Sequence, residues 1–289
     1  MIATQQIVWR CRGREVVCGA KTLIMGILNA TPDSFSDGGR FQTLEKAVAR
    51  GLEMVKEGAD IIDIGGESTR PGAQPVSVEE EIRRTTPIIA ELKRQPRCLI
   101  SIDTQKAEVA RAAIAAGADI VNDISALTDP DMVNVAAETG TGLVLMHMQG
   151  TPQTMQQNPR YDDVVSNVWN FLEERMEFAV ERGVAPEQIC LDHGIGFGKT
   201  DEHNLALLSA IPMFGTSGRP VLIGASRKSF IGRMTGQEQP EKRLAGSLAV
   251  AAFAILRGAR ILRVHDVKES CDAARLVDTL RAYELAEQH

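Results

Sequence analysis

Three short stretches constrain the architecture of this 289-residue chain more than any other feature. Glu57-Gly-Ala-Asp60, Ala116-Gly-Ala-Asp119 and Arg257-Gly-Ala-Arg260 each end a run of helical periodicity and launch a short apolar run. Glycine at a helix end supplies the left-handed conformation that stops the helix, so each stretch marks the same helix-to-strand joint. Before the first, Leu44, Ala47, Val48, Leu52 and Val55 recur at helical spacing; after it, residues 60–64 read as a strand buried on both faces. The alternation continues along the chain. Strands are expected at 25–28, 60–64, 99–103, 119–122, 143–147, 189–192, 221–224 and 261–264, with helices after them, among them 106–116, 131–139 and 163–182. The helix after the second strand is entered through Ser77-x-x-Glu80, which has capping-box form. Eight strand–loop–helix units with no linker predict an α/β fold, a single (β/α)8 TIM barrel over residues 21–289. Residues 1–20 are expected to add a short N-terminal β-hairpin around Arg12-Gly13 that closes one end of the same domain, 1–289.

The length would also suit two domains, but a barrel of this kind commonly takes about 250 residues. A formal net charge of −6 offers no basic surface for nucleic acid. Cys11, Cys18, Cys98, Cys190 and Cys271 are odd in number and without Cys-x-x-Cys spacing, which argues against a disulfide framework or a zinc-thiolate site. The N-terminus holds no apolar run of signal-peptide length, and the longest apolar run, 248–256, is far below the ~20 residues a membrane span needs. A cytoplasmic protein with no membrane or nucleic-acid partner is expected. The stretch 244–256, apolar on most faces, is expected to pair two copies into a homodimer.

In such barrels chemistry sits where the strands end, and polar residues recur there. Asn29, Asp63, Asp103, Asn122, His147, Asp192, Ser226 and Arg263 all fall at or just past expected strand ends and are expected to line one mouth. Arg70 in the second loop, with Arg263 and His265 at the eighth strand, suits a bidentate grip on an oxyanion, and Asn29 with the carboxylates of the first loop offers hard oxygen ligands for Mg2+. That describes a phosphate or pyrophosphate end. Asp103, Asn122 and Asp192 offer acceptors and an amide suited to a flat polar heterocycle with adjacent N–H groups. Ser226-Arg-Lys-Ser229 precedes a helix, so its backbone N–H groups and Lys228 suit an anion or a ring carbonyl.

Competing motif readings fare worse. His193-Gly-Ile-Gly-Phe-Gly-Lys-Thr200 misses a Walker A loop by one residue, because His193 stands where the first glycine belongs, and it follows a barrel strand. A metal-dependent amidohydrolase would want His-x-His after the first strand, where this chain has Asn29-Ala-Thr31. A glycosidase would pair carboxylates, but Asn122 and Ser226 end the fourth and seventh strands, and two tryptophans leave little for sugar stacking.

Over essentially its whole length the chain resembles a dihydropteroate synthase. The stretches MGILNATPDSFSDGG, DIIDIGGESTRPGA, SIDT, NDIS, LMHMQGTPQTM, GIGFGK, SRKSFIG and RVHD stand in that family's order and roughly its spacing. The resemblance implies a (β/α)8 fold and a transferase that condenses 6-hydroxymethyl-7,8-dihydropterin pyrophosphate with para-aminobenzoate, giving 7,8-dihydropteroate and pyrophosphate in folate synthesis. It implies that Asp103, Asn122, Asp192 and Lys228 hold the pterin, and that Asn29, Arg70, Arg263 and His265 hold pyrophosphate with Mg2+. It also implies a para-aminobenzoate pocket of Phe35, Thr69, Pro71, Lys228 and Ser229. Asp37 of the first loop joins Asp103, Asp192, Lys228, Arg263 and His265 in the expected catalytic set. A methyltetrahydrofolate methyltransferase-like enzyme would have no evident use for Ser68-Thr-Arg-Pro71 or Ser226-Arg-Lys-Ser229, and intact acidic and basic clusters disfavour a non-catalytic pterin-binding paralogue.

One departure stands out. The family usually has Asp-Pro-Gly where this chain reads Asp192-His193-Gly194. Losing proline frees a backbone N–H and relaxes φ there, and His193 reads as a loop residue tolerated beside the site rather than one that tunes Asp192. Both readings of the mouth give one mechanism, cleavage of the methylene–oxygen bond before or as the amine attacks, with no covalent nucleophile, so Cys190 reads as a buried strand residue. The first two loops are rich in small polar residues and glycine, with only Phe35 to bury in the first. The expectation is that bound pyrophosphate ties them together and completes the para-aminobenzoate pocket, making binding ordered.

Overall fold

The computed structural model describes residues 6–30, 40–69, 72–94 and 98–287, with side chains for all but 40–43 and 285. Ile7–Cys11 (β1) and Arg14–Cys18 (β2) pair antiparallel across Arg12 and Gly13, at φ 51° and 76°. Both turn residues are left-handed, the requirement of a two-residue hairpin whose twist matches its strands. Eight parallel strands then close on themselves. In chain order they are β3 (Leu23–Asn29), β4 (Ile61–Gly65), β5 (Leu99–Asp103), β6 (Ile120–Asp123), β7 (Gly142–Met146), β8 (Ile189–Asp192), β9 (Val221–Ile223) and β10 (Ile261–Val264), and β10 returns to pair with β3. Helices lie between successive strands, giving the expected (β/α)8 barrel.

The repeated joint works as its glycines require. Gly58, Gly117 and Gly258 stand at φ 110°, 123° and 105°, a region that a side chain strains to adopt. The acids that follow have a second task. Asp60 accepts from the Ile24 N–H and Asp119 from the Ile100 N–H, both at 3.0 Å, so these two helix-to-strand joints are stitched to the start of the neighbouring strand. The helix Val78–Lys93 (α2) makes only half its capping box: Ser77 Oγ accepts from Glu80 N at 3.3 Å, while the Glu80 carboxylate turns to Arg83 and Arg84. Two guanidiniums outcompete one backbone N–H for that carboxylate.

The hairpin is the floor of the barrel. Trp9, Cys11 and Cys18 pack beneath an interior layer of Met25, Ile61, Leu99, Ile120, Val144, Cys190, Leu222 and Ile261, and Trp9 Nε1 donates to the Gln188 carbonyl at 2.7 Å. Truncating a buried tryptophan costs about 3–5 kcal/mol, so the hairpin belongs to the barrel's stability. A larger apolar layer fills the space between strands and helices. All five cysteines are free and buried, and Cys190 has no exposed surface, as expected of a strand residue. Among the described residues no helix is long and apolar enough to cross a membrane.

Candidate active site

Side chains along a strand alternate faces, so whatever stands two residues beyond the apolar floor layer must also point inward. From Ile61, Leu99, Ile120, Cys190 and Ile261 that rule leads to Asp63, Ser101, Asn122, Asp192 and Arg263, a polar tier stacked directly above an apolar one. The tier is wired across the barrel. Arg263 Nε donates to Asp63 Oδ2 at 2.6 Å, Arg263 Nη2 donates to Asp103 Oδ2 at 2.6 Å, and Asn122 Nδ2 donates to Asp63 Oδ2 at 3.1 Å. Asp63 is wholly buried, and among the described residues its Oδ1 has no hydrogen-bond partner.

The charges in this tier act on one another across short distances. Burial pushes the Asp103 carboxyl above its ordinary value, with Arg263 pulling it down and Asp63 pushing it further up. Burial also opposes the charge on Arg263, but Asp63 and Asp103 outweigh it and hold the guanidinium firmly protonated. Asp192 is raised by burial, against a 2.8 Å hydrogen bond from Gly194 N to its Oδ1 and the positive charge of Lys228. A buried ion pair that loses one partner costs about 3–5 kcal/mol, so Arg263 cannot leave its carboxylates freely. This refines the sequence reading, in which Arg263 was available to an oxyanion: two of its five N–H groups are already committed.

Beside the acceptors lies an apolar wall of Ile124, Met146, Met155 and Phe197. Lys228 closes that side, its Nζ 3.9 Å from the centre of the Phe197 ring, with burial lowering its pKa to about 8. Its backbone is set by its neighbours. Arg227, left-handed at φ 58°, pairs with Asp266 and so faces away from Lys228's pocket, while its N–H donates to Ser247 Oγ at 2.9 Å. Lys228 then caps the helix Ser229–Thr235 (α8), and Ser229 is exposed at its first turn. His265 Nδ1 lies 3.1 Å from Ser226 Oγ, and burial, reinforced by Arg263, pushes its pKa down to about 3. That depression keeps it neutral at neutral pH.

Thr69 lies half-buried in the loop after β4, whose base is held by Lys106 donating to Glu67 Oε2 at 2.7 Å and to Glu81 Oε2 at 2.6 Å. Phe35, Asp37, Arg70 and Pro71 lie outside the described residues. Asn29 ends β3 beside Gly65, which itself neighbours Asp103. Its amide oxygen is a hard donor at the rim, and among the described residues no three His, Cys, Asp or Glu gather as a metal cage. A single protein oxygen fits Mg2+, which keeps waters and takes phosphate oxygens, better than it fits a metal needing a full protein shell.

One histidine departs from expectation and another is more deeply packed than its loop position suggests. His147 does not join the mouth: it turns outward, packs edge-on against Phe171 with ring centres 4.9 Å apart, and borders an outer cavity of about 890 Å³ with Tyr161 and His203. It follows Met146, whose side chain takes the inward position, so alternation sends His147 the other way. His193 is a loop residue beside the site, as the sequence reading has it, but one turned into the core. It is fully buried, 3.9 Å from the Phe214 ring centre, and among the described residues neither ring nitrogen has a hydrogen bond of acceptable geometry. Burial lowers its pKa to about 3, Lys199 adds to the fall, and the Leu207 backbone opposes a little of it. The charges acting on Asp192 come from Lys228, Arg263 and Lys199 rather than from His193. Sequence reasoning placed Asp63 at the mouth without giving it a role, for which an acid inside an otherwise apolar strand was the available signal, and it passed over Lys199.

Comparison with known proteins agrees with this geometry. A family model described as pterin binding enzyme matches residues 25–265. The dihydropteroate synthase of Synechocystis sp. is 49% identical over 263 residues, covering 91% of each chain. Among solved structures, the Xanthomonas albilineans dihydropteroate synthase with 4-aminobenzoic acid superposes with a TM-score of 0.90 at 47% identity, covering 96% of this chain and 99% of that one. The Yersinia pestis dihydropteroate synthase in a sulfonamide drug complex gives 0.90 at 42% identity, covering 96% and 100%. A barrel of this topology with this polar tier, matched over most of its length at such identity, belongs to the dihydropteroate synthase family of pterin-binding enzymes.

Proposed function

We propose that this chain condenses 6-hydroxymethyl-7,8-dihydropterin pyrophosphate with para-aminobenzoate, giving 7,8-dihydropteroate and pyrophosphate. One observation carries the reading: Asp103, Asn122 and Asp192 share a barrel mouth with the apolar wall of Met146 and Phe197 and with the cations of Lys228 and Arg263. That combination offers a face for a flat ring, acceptors for its N–H groups and positive charge for a departing anion. Asp103, Asn122, Asp192 and Lys228 hold the pterin. Asn29, Arg70, Arg263 and His265 take the pyrophosphate, and Phe35, Thr69, Pro71, Lys228 and Ser229 receive para-aminobenzoate. Asn29, with Asp37 of the same loop, would hold Mg2+, whose chemistry there is to withdraw charge from the pyrophosphate.

The bond that breaks joins the pterin methylene carbon to a pyrophosphate oxygen, and the oxygen leaves with the electron pair. The bond that forms joins that carbon to the para-aminobenzoate nitrogen, which then releases one proton. Positive charge spreading into the pterin ring is met by the carboxylates of Asp103 and Asp192, and negative charge on the leaving group by Arg263 and Lys228. A pyrophosphate beside His265 favours its imidazolium, opposing the depression that burial and Arg263 impose. Two copies are proposed to dimerise through the helix Leu244–Leu256 (α9), which leaves Phe253 41% and Leu256 55% exposed. The test of function is incubation of the purified chain with the pterin pyrophosphate, para-aminobenzoate and Mg2+. Formation of dihydropteroate is expected, and its absence would reject the reading.

A further inference from the structure

The segment from His193 to Thr200 carries three glycines and a lysine that the reaction above does not use. Lys199 is only 2% exposed. Its Nζ lies 3.0 Å from His147 Nδ1 and donates to the His147 carbonyl at 3.2 Å and the Phe197 carbonyl at 2.9 Å. An ammonium has three donors and no acceptor, so all three are spent within the protein and none is left for a nucleotide phosphate. The acceptors belong to two different loops, one leaving β7 and one leaving β8. Between them the chain winds tightly, with Gly194, Gly196 and Gly198 left-handed at φ 65°, 81° and 64°. A Cβ at Gly194 would collide with the His147 carbonyl, and one at Gly198 would lie 2.7 Å from the Gln149 carbonyl.

Two groups of the mouth depend on this loop. Gly194 N donates to Asp192 Oδ1 at 2.8 Å, and the Phe197 ring lies under Lys228 Nζ. Gly196 leaves space for the Lys228 stem, since a Cβ there would stand 3.1 Å from Lys228 Cδ. We propose that Lys199 is a positioning residue: it ties the loop after β8 to the loop after β7 and so holds the Asp192 carboxylate and the Lys228 ammonium in place for the pterin, without reaching the reacting atoms. The inference rests on the assignment of Asp192 and Lys228 to the pterin. A plug alone would call for an apolar side chain, because a buried ammonium is costly to desolvate. Burial does push Lys199 down to about 7, and the carboxylate of Asp192 pulls the other way. The charge is thus sustained by the group it helps to hold.

Lys199→Met removes all three donors at similar length. It is compared with Asp192→Asn and the double variant by steady-state kinetics, with active sites counted by calorimetric titration with 6-hydroxymethylpterin. The expected result is a fall in kcat per active site of about tenfold or more, weaker pterin binding, and a double variant within about twofold of Asp192→Asn alone, since both changes act on one carboxylate. A lysine with a merely structural role would lower the thermal midpoint and the active fraction but leave kcat per active site unchanged. That outcome, or additivity with Asp192→Asn, overturns the proposal. If Lys199→Met does not fold, Lys199→Gln, which keeps two N–H donors, is read in the same way; failure of both to fold assigns a structural role and also overturns it. An Asp192→Asn enzyme with wild-type turnover would instead remove the pterin assignment, and this proposal with it.

Discussion

Replacing His193 with leucine should stabilise the protein, and more so in acid. The imidazole is fully buried, and among the described residues neither ring nitrogen makes a well-formed hydrogen bond, though the Leu207 backbone meets the ring. An unsatisfied buried polar group costs about 1–3 kcal/mol, and a neutral imidazole has one donor and one acceptor. Losing the contact with Phe214 gives back about 0.5–1.5 kcal/mol. With the Leu207 backbone partly satisfying one of the two, the net gain at neutral pH is about 1 kcal/mol. The acid effect adds to it. With its pKa lowered to about 3 by burial, folded His193 stays neutral while the unfolded chain takes up a proton below about 6.5. The unfolded state binds more protons through that window, so the native protein loses stability as pH falls from about 6.5 to about 3. At pH 5 the loss from this residue is about 1.5 pH units at 1.36 kcal/mol each, or about 2 kcal/mol. His147 and His265, each also pushed to about 3, add acid sensitivity that the substitution leaves in place. Urea unfolding of both proteins at pH 7.5 and pH 5 measures the two terms. A leucine variant less stable at pH 7.5, or one whose advantage does not grow at pH 5, would refute the argument. Turnover should stay within about threefold, because the charges that set Asp192 lie elsewhere.

Asp192→Asn keeps an oxygen for the Gly194 N–H but loses the charge facing the pterin, so turnover should drop about 10²-fold or more with little change in thermal midpoint; turnover within about threefold of wild type would end that role. Sulfonamides should inhibit by competing with para-aminobenzoate, since the similar Yersinia pestis enzyme is seen in a sulfonamide drug complex, and an uninhibited enzyme would contradict this. Para-aminobenzoate should bind measurably only after a pterin and Mg2+-pyrophosphate; equal calorimetric affinity in both conditions would mean a preformed pocket. Sedimentation at micromolar concentration should give a dimer, and a monomer would leave the exposed Phe253 and Leu256 without their proposed partner.

Local order in the sequence determined the barrel. Apolar runs of strand length, helical spacing and the repeated Gly-Ala joint are properties of neighbouring residues, and so is the left-handed Arg12-Gly13 turn. Strand alternation then dictates which residues face inward once the barrel closes, and this is why Asp103, Asn122, Asp192 and Arg263 were legible as one mouth. What each of them touches was not legible. Arg263 meets Asp63 and Asp103 across 200 and 160 residues of sequence, and only closure of β10 onto β3 brings them together. The same holds for the histidines and for Lys199. Whether His193 is solvated depends on Phe214 from another element, and whether Lys199 meets a phosphate or the His147 carbonyl depends on how closely three glycines let two loops approach. Composition and spacing set which groups enter the site; the packing of distant segments sets which of their charges and hydrogen bonds are already spent.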